Sequence, residues 1–149
     1  MFSRTAGYGI SAIVFLAAQP EGKLCAVRTI AQQQCIPRSF LSRILYWLCR
    51  GGLVRAVRGT GGGYCLAVPP NRIPLVSILE ALGEKPERSR CVLGFNNCTE
   101  EAPCSLHDGF ACLRQQFLLL LETTTVADLT GPFKAQPKET PDQGRRIFT

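Results

Sequence analysis

Apolar residues along the first half of the chain recur mostly at helical spacing. Residues 3–18 carry Tyr8, Ile10, Ile13, Val14, Phe15 and Leu16 and are closed by Pro20 and Gly22, which predicts a helix. A short second helix is predicted over 27–34. After the break at Cys35-Ile36-Pro37, a third is predicted over 38–50. In that segment Leu41, Ile44, Leu45 and Leu48 fall at i, i+3, i+4 and i+7, one stripe that faces a core. Arg38, Ser39, Ser42, Arg43 and Tyr46 lie opposite, Trp47 is read as a core residue, and Gly51-Gly52 stops the helix. Two extended runs follow, Leu53–Val57 and Tyr64–Val68, joined by Arg58-Gly59-Thr60-Gly61-Gly62-Gly63. This is a hairpin whose tip needs backbone angles that glycine tolerates. A fourth helix is predicted after Pro74, over 75–82.

The pattern then changes. Residues 83–103 show no sustained period and are punctuated by Gly83, Pro86, Gly94, Asn96, Asn97 and Pro103. A stretch of that length without regular structure is uncommon in a compact domain unless something holds it. Ser105-Leu106-His107-Asp108 has the form of a capping box, so a helix is expected from residue 106. Its apolar residues Leu106, Phe110, Leu113, Phe117 and Leu120 or Leu121 form a heptad-like seam, suited to packing against a second copy. Thr123-Thr124-Thr125 weakens the helix, and a short turn is expected at Val126–Leu129. From Gly131 on, with Pro132, Pro137 and Pro141, the composition predicts a disordered tail.

The fold class that follows is mainly α with a small β-hairpin wing. It comprises a winged helix-turn-helix DNA-binding domain over 1–83, a cluster-binding loop over 84–105, a dimerisation helix over 106–130, and the tail 131–149. No apolar run has the length of a membrane span, and no cleavage-site pattern follows the first helix, so a soluble, cytoplasmic protein is expected.

Charge sharpens this picture. The net charge is +6, but residues 1–90 carry 12 Lys+Arg against 4 Asp+Glu. Residues 91–130 carry 1 against 5. Between Glu21 and Glu80 no acidic residue occurs, yet Lys23, Arg28, Arg38, Arg43, Arg50, Arg55, Arg58 and Arg72 all lie there. A one-sign field of this size suits the phosphate backbone of double-stranded DNA. In a major groove, helix 38–50 would present Arg38, Ser39, Ser42 and Arg43 to base edges. Arg28, and Arg58 with Gly59 and Thr60 at the wing tip, would meet phosphates or a minor groove.

Eight cysteines in a chain of this kind point to metal ligands, reactive thiols or packing residues rather than a disulfide framework. Cys25, Cys35, Cys49, Cys65 and Cys112 are scattered. Cys91, Cys98 and Cys104 cluster in the irregular loop, and His107 follows three residues after the last. Three thiols and an imidazole can close around one metal centre, and the N–H groups of the helix start favour an anionic cluster. Zinc accepts the same donors but is usually built on tighter Cys pairs, so the spacing favours iron–sulfur over zinc.

The helix pair, the wing Gly52-Leu53-Val54-Arg55 through Arg58-Gly59-Thr60-Gly61-Gly62-Gly63-Tyr64, the three cysteines and the long last helix resemble the bacterial iron–sulfur winged-helix transcription regulators, the family of IscR and NsrR. The resemblance covers residues 2–130. It implies a homodimer on palindromic operators, with Cys91, Cys98 and Cys104 as cluster ligands and His107 completing a 2Fe–2S site. Relatives with a 4Fe–4S cluster take an Asp just before a Tyr of the first helix. Gly7 precedes Tyr8 here, which favours 2Fe–2S over 4Fe–4S. The resemblance also implies sensing of iron–sulfur status, redox poise or nitric oxide, as repressor or activator.

Two alternatives stand beside this. One is a metal-free thiol switch that forms disulfides among the same cysteines. The other is an electron-transfer or zinc-stabilised interaction module in which the helix-turn-helix is only a scaffold. An enzyme is not expected: there is one His, no nucleophile–base pair is evident, and Gly59–Gly63 lacks the Lys-Ser/Thr of a phosphate loop.

Overall fold

The computed structural model describes residues 2–84, 91–95 and 98–130. The expected disordered tail, 131–149, lies outside the described residues. Helix α1 spans Arg4–Ala17 and begins at Ser3, whose side chain accepts a hydrogen bond from the Ala6 N–H. Its buried face is Ala6, Gly9, Ala12, Ile13 and Leu16, of which the first three are small enough to let neighbouring elements approach. Helix α2, Val27–Gln33, and helix α3, Arg38–Arg50, are joined by a tight turn. In it Cys35 adopts φ 51°, the left-handed region.

Strands β1, Val54–Val57, and β2, Gly63–Leu66, pair antiparallel with Val54 opposite Leu66 and Val57 opposite Gly63. The tip turns through Gly59 (φ 101°) and Gly61 (φ 74°), which accounts for the run of glycines there. An isolated antiparallel bridge between Cys25 and Tyr64 ties the segment before α2 to the hairpin. It requires Gly63, because a Cβ there would lie 2.6 Å from the Cys25 carbonyl oxygen. Pro69-Pro70 follows β2, which ends two residues before the predicted run.

Helix α4 spans Leu75–Ala81, α5 His107–Thr123 and α6 Val126–Leu129. Ile13, Ile30, Leu41, Ile44, Leu45, Leu48, Ile73 and Ile78 form a core to which α5 and α6 contribute Leu121 and Val126. Backbone bonds stitch this end of α5 to the strand-like segment before α4. Leu75 N–H donates to Thr124 O at 3.0 Å, and Val126 N–H donates to Ile73 O at 2.9 Å.

The structure departs from two sequence expectations. Trp47 is 41 % exposed rather than core. The four apolar residues of the predicted stripe already fill the inner face of α3, and Trp47 falls beside it. The Ser105–Asp108 capping box does not form: the cap is Leu106, in the αR region with no side-chain bond, and α5 starts at His107. The reciprocal box forms instead one element later. There Thr125 N–H and Oγ1 both donate to Asp128 Oδ2, at 2.7 and 2.8 Å.

Two predictions follow from the local geometry. A side chain in the left-handed region costs about 1–2 kcal/mol, so Cys35→Gly removes that strain and offsets glycine's extra chain entropy. The variant is expected to be at least as stable as the unmodified chain in urea unfolding, and a loss above about 1 kcal/mol contradicts the assigned strain. Asp128 is held below the usual carboxylate range by the Thr125 backbone N–H, then by its hydroxyl. Its contribution is therefore present above the unfolded carboxylate pKa and is lost as pH falls through the folded value. Asp128→Asn should lower Tm at neutral pH and match the unmodified chain in strong acid.

Candidate metal centre and nucleic-acid interface

The connector folds through small turns that bring its cysteines together. Gly94 N–H donates to Cys91 O at 3.0 Å, Ala102 N–H to Thr99 Oγ1 at 3.1 Å, and His107 N–H to Cys104 O at 3.0 Å. Gly94 supplies the positive φ of the first of these turns. As a result the Sγ atoms of Cys91, Cys98 and Cys104 all lie within 4.8 Å of one another. Cys91 Sγ and Cys104 Sγ are 3.9 Å apart, and Cys98 Sγ is 3.2 Å from His107 Nδ1. Val92, Leu106, Phe110 and Arg114 line the same small cavity, with the Arg114 guanidinium 5.0 Å from the Phe110 ring centre.

Cys91 and Cys98 are shifted in opposite directions. The Phe95 backbone N–H, helped by that of Leu93 and by the neighbouring thiols, holds Cys91 below the ordinary thiol value against the opposing effect of burial. For Cys98 the Cys104 backbone N–H favours the thiolate, but burial and the two adjacent sulfurs outweigh it and the thiol is raised. Neighbouring thiolates repel, so all three ionise together only around a positive centre. Two sulfurs sharing one tetrahedral metal at 2.3 Å stand about 3.8 Å apart, the spacing of the Cys91–Cys104 pair. His107 stands beside this trio, its Nδ1 within hydrogen-bond distance of Cys98 Sγ. The set fits a thiolate-loving metal centre.

The five scattered cysteines do not join it. Cys25 and Cys65 are buried and Cys49 is half-buried, whereas Cys35 and Cys112 are exposed. Burial pushes the Cys25 and Cys49 thiols up, which makes them poor nucleophiles.

The basic face is separate from this cavity. Arg38, Ser39, Ser42 and Arg43 are all exposed along α3, Arg28 is exposed in the first turn of α2, and Arg58, Gly59 and Thr60 are exposed at the wing. The Ser42 hydroxyl donates to Arg38 O at 3.0 Å, which leaves its oxygen able to accept. On α5 the seam residues Leu106, Leu113, Phe117 and Leu120 are exposed, Leu113 by 61 %, and Phe110 is half-buried. Phe117 meets Phe2 with ring centres 5.8 Å apart.

Residues 2–132 match the family model Rrf2, described as an iron-dependent transcriptional regulator. The chain belongs to the Rrf2 family. It is 34 % identical over 131 residues to a protein of Aquifex aeolicus inferred to be an HTH-type transcriptional regulator, covering 87 % of this chain and 90 % of that one. Among solved structures it resembles IscR of T. potens, with TM-score 0.66, 25 % identity, and 87 % of this chain and 85 % of that chain covered. It shares its fold with CymR, the global cysteine regulator of B. subtilis, at TM-score 0.75, 22 % identity, and 87 % of this chain and 95 % of that chain covered. Rrf2 proteins are DNA-binding transcription regulators rather than enzymes. The fold is the winged-helix one expected from the sequence. Among the described residues, no helix is long and apolar enough to cross a membrane.

Sequence reasoning missed the pairing of donors, Cys91 with Cys104 and Cys98 with His107, because spacing does not encode how an irregular loop turns. It also missed Arg114 on the cavity wall, two turns beyond His107. Placed with His107 on α5, its i+7 spacing was the available signal.

The site yields a direct prediction. After anaerobic reconstitution with iron and sulfide, His107→Ala should shift the visible absorption bands, and Cys104→Ala should lose most of their intensity. An unaltered His107→Ala spectrum would remove His107 from the ligand set.

Proposed function

We propose that this Rrf2 protein is a homodimeric transcription regulator whose operator affinity is set by an iron–sulfur centre, 2Fe–2S, held by Cys91, Cys98, Cys104 and His107. The observation that carries the reading is the convergence of three sulfurs within 4.8 Å, with an imidazole nitrogen 3.2 Å from one of them. The family's description as iron-dependent supports iron as the metal. When bound, such a centre supplies an oxidisable, iron-sensitive cross-link. A neutral imidazole in place of a fourth thiolate raises its potential and makes one ligand titratable.

The chain's own residues do the rest. Cys91, Cys98 and Cys104 belong to the connector and His107 heads α5, so ligation ties one to the other. Leu106 and Phe110 belong to both the cavity wall and the apolar seam, and Leu113, Phe117 and Leu120 continue that seam. An exposed apolar row of this length is covered by the same row of a second copy. Pairing along α5 sets the separation of the two α3 helices. Half-sites one helical turn apart require about 34–36 Å between them, so a palindromic operator is the matching partner. Arg38, Ser39, Ser42 and Arg43 then reach base edges, while Arg28, Arg58, Gly59 and Thr60 contact the backbone.

One observation favours a second reading. The 3.9 Å between Cys91 and Cys104 sulfurs is close to the span across a single tetrahedral ion, so zinc suits the same donors. Metal analysis separates the two.

A duplex selected from a random library tests the regulator reading. Cluster-loaded and apo protein should differ in affinity by about 5- to 150-fold, the usual range of a coupling between two sites. Equal affinities contradict it. Leu113→Glu should convert the dimer to monomer in sedimentation while leaving helical content unchanged, and a monomeric unmodified chain contradicts the seam assignment.

A further inference from the structure

The exposed face of α3 does not end at Arg43. Ser39, Arg43, Tyr46 and Arg50 fall at i, i+4, i+7 and i+11, a single row along the helix. Tyr46 is 54 % exposed, and Trp47 flanks it with ring centres 5.3 Å apart at 68°. The Arg50 guanidinium carbon sits 6.0 Å from the Tyr46 ring centre and 5.9 Å from that of Trp47. These rings do not support the core, which Leu41, Ile44, Leu45 and Leu48 complete from the other side of the helix. Edge-on packing orients the rings, and the guanidinium lies at cation–π distance from both, which groups the three side chains on one exposed patch.

We propose that Tyr46, Trp47 and Arg50 form a clamp on the DNA phosphate backbone that fixes the depth and register of α3. This rests on the reading of α3 as the DNA-facing helix. From Ser39 to Arg50 the helix rises about 16 Å, more than the roughly 12 Å width of a major groove. With Arg38, Ser39 and Arg43 at base edges, the second half of α3 meets the groove wall, which is phosphate and sugar. The Tyr46 hydroxyl and the Trp47 indole N–H are donors with no protein partner among the described residues, and Arg50 adds a cation. No residue of α3 is acidic. Charge complementarity and continuity with Arg43 favour nucleic acid over a protein as the occupant of this face. Its contacts are sequence-independent.

The test uses the full chain and a fluorescent duplex of arbitrary sequence, with anisotropy followed across a salt series. Arg50→Ala should weaken binding about threefold to tenfold and flatten the slope of log K against log salt by about 1. Arg50→Lys should keep the slope. Tyr46→Phe, which removes only the hydroxyl, should weaken binding about twofold to fivefold with the slope unchanged. All three positions are exposed, and equal thermal melts check that the variants fold. If Arg43→Ala weakens binding while Arg50→Ala and Tyr46→Phe do not, α3 still faces DNA but the clamp is overturned. The aromatic face then belongs to another partner. If the unmodified chain binds no duplex, the reading of α3 and the clamp fall together.

Discussion

Three thiols crowded within a few ångströms cannot all become thiolates without a compensating positive charge, and the C-terminal half of this chain is arranged around the place where that demand falls. The small turns of the connector carry no core of their own. Their hydrogen bonds through Gly94, Ala102 and His107 serve to return three sulfurs to one point. That point is the first turn of α5, where exposed backbone N–H groups also favour negative charge. Within the cluster the Phe95 backbone N–H lowers Cys91, whereas burial and the adjacent sulfurs raise Cys98 against the Cys104 N–H, so the thiols are not equivalent.

The two ends of α5 are held differently. At its C-terminal end, Leu121 and Val126 enter the winged-helix core, and backbone bonds from Leu75 and Val126 lock the junction. At its N-terminal end, His107 is held by the sulfur of Cys98 and the carbonyl of Cys104, both from the connector. The helix is therefore anchored in the winged-helix core at one end and against the cysteine cluster at the other. Its exposed apolar row lies between them. The N-terminal domain is the electrostatic counterpart of this arrangement, because its acid-free span leaves α3 and the wing with a single sign of charge facing outward.

Much of this was legible in the chain itself. The period of Leu41, Ile44, Leu45 and Leu48 located α3 and its outer face, and the glycine run located the wing, because each reports a local backbone requirement. The clustering of Cys91, Cys98, Cys104 and His107 indicated a common site, since a polar loop offers no other reason to hold thiols together. What the pattern did not carry was tertiary. Trp47 reads as core by hydropathy and becomes an outer residue because the inner face is already full. Ser105 and Asp108 have the capping spacing, but the chain enters α5 through Leu106 in an αR conformation, and no side chain caps the helix start. The same Thr-x-x-Asp grammar operates at Thr125 and Asp128, where the entering residue is extended. The Cys25–Tyr64 bridge joins residues distant in sequence, and no local signal announces it.

The central claim is that the four donors hold an iron–sulfur centre, and its composition is open to measurement. Iron, zinc and acid-labile sulfide should be determined per chain in protein reconstituted without oxygen, beside a variant with Cys91, Cys98 and Cys104 all replaced by Ser. The account predicts iron and sulfide in equal amounts in the unmodified chain and neither in the variant. Zinc alone, or no metal and no sulfide in the unmodified chain, contradicts it.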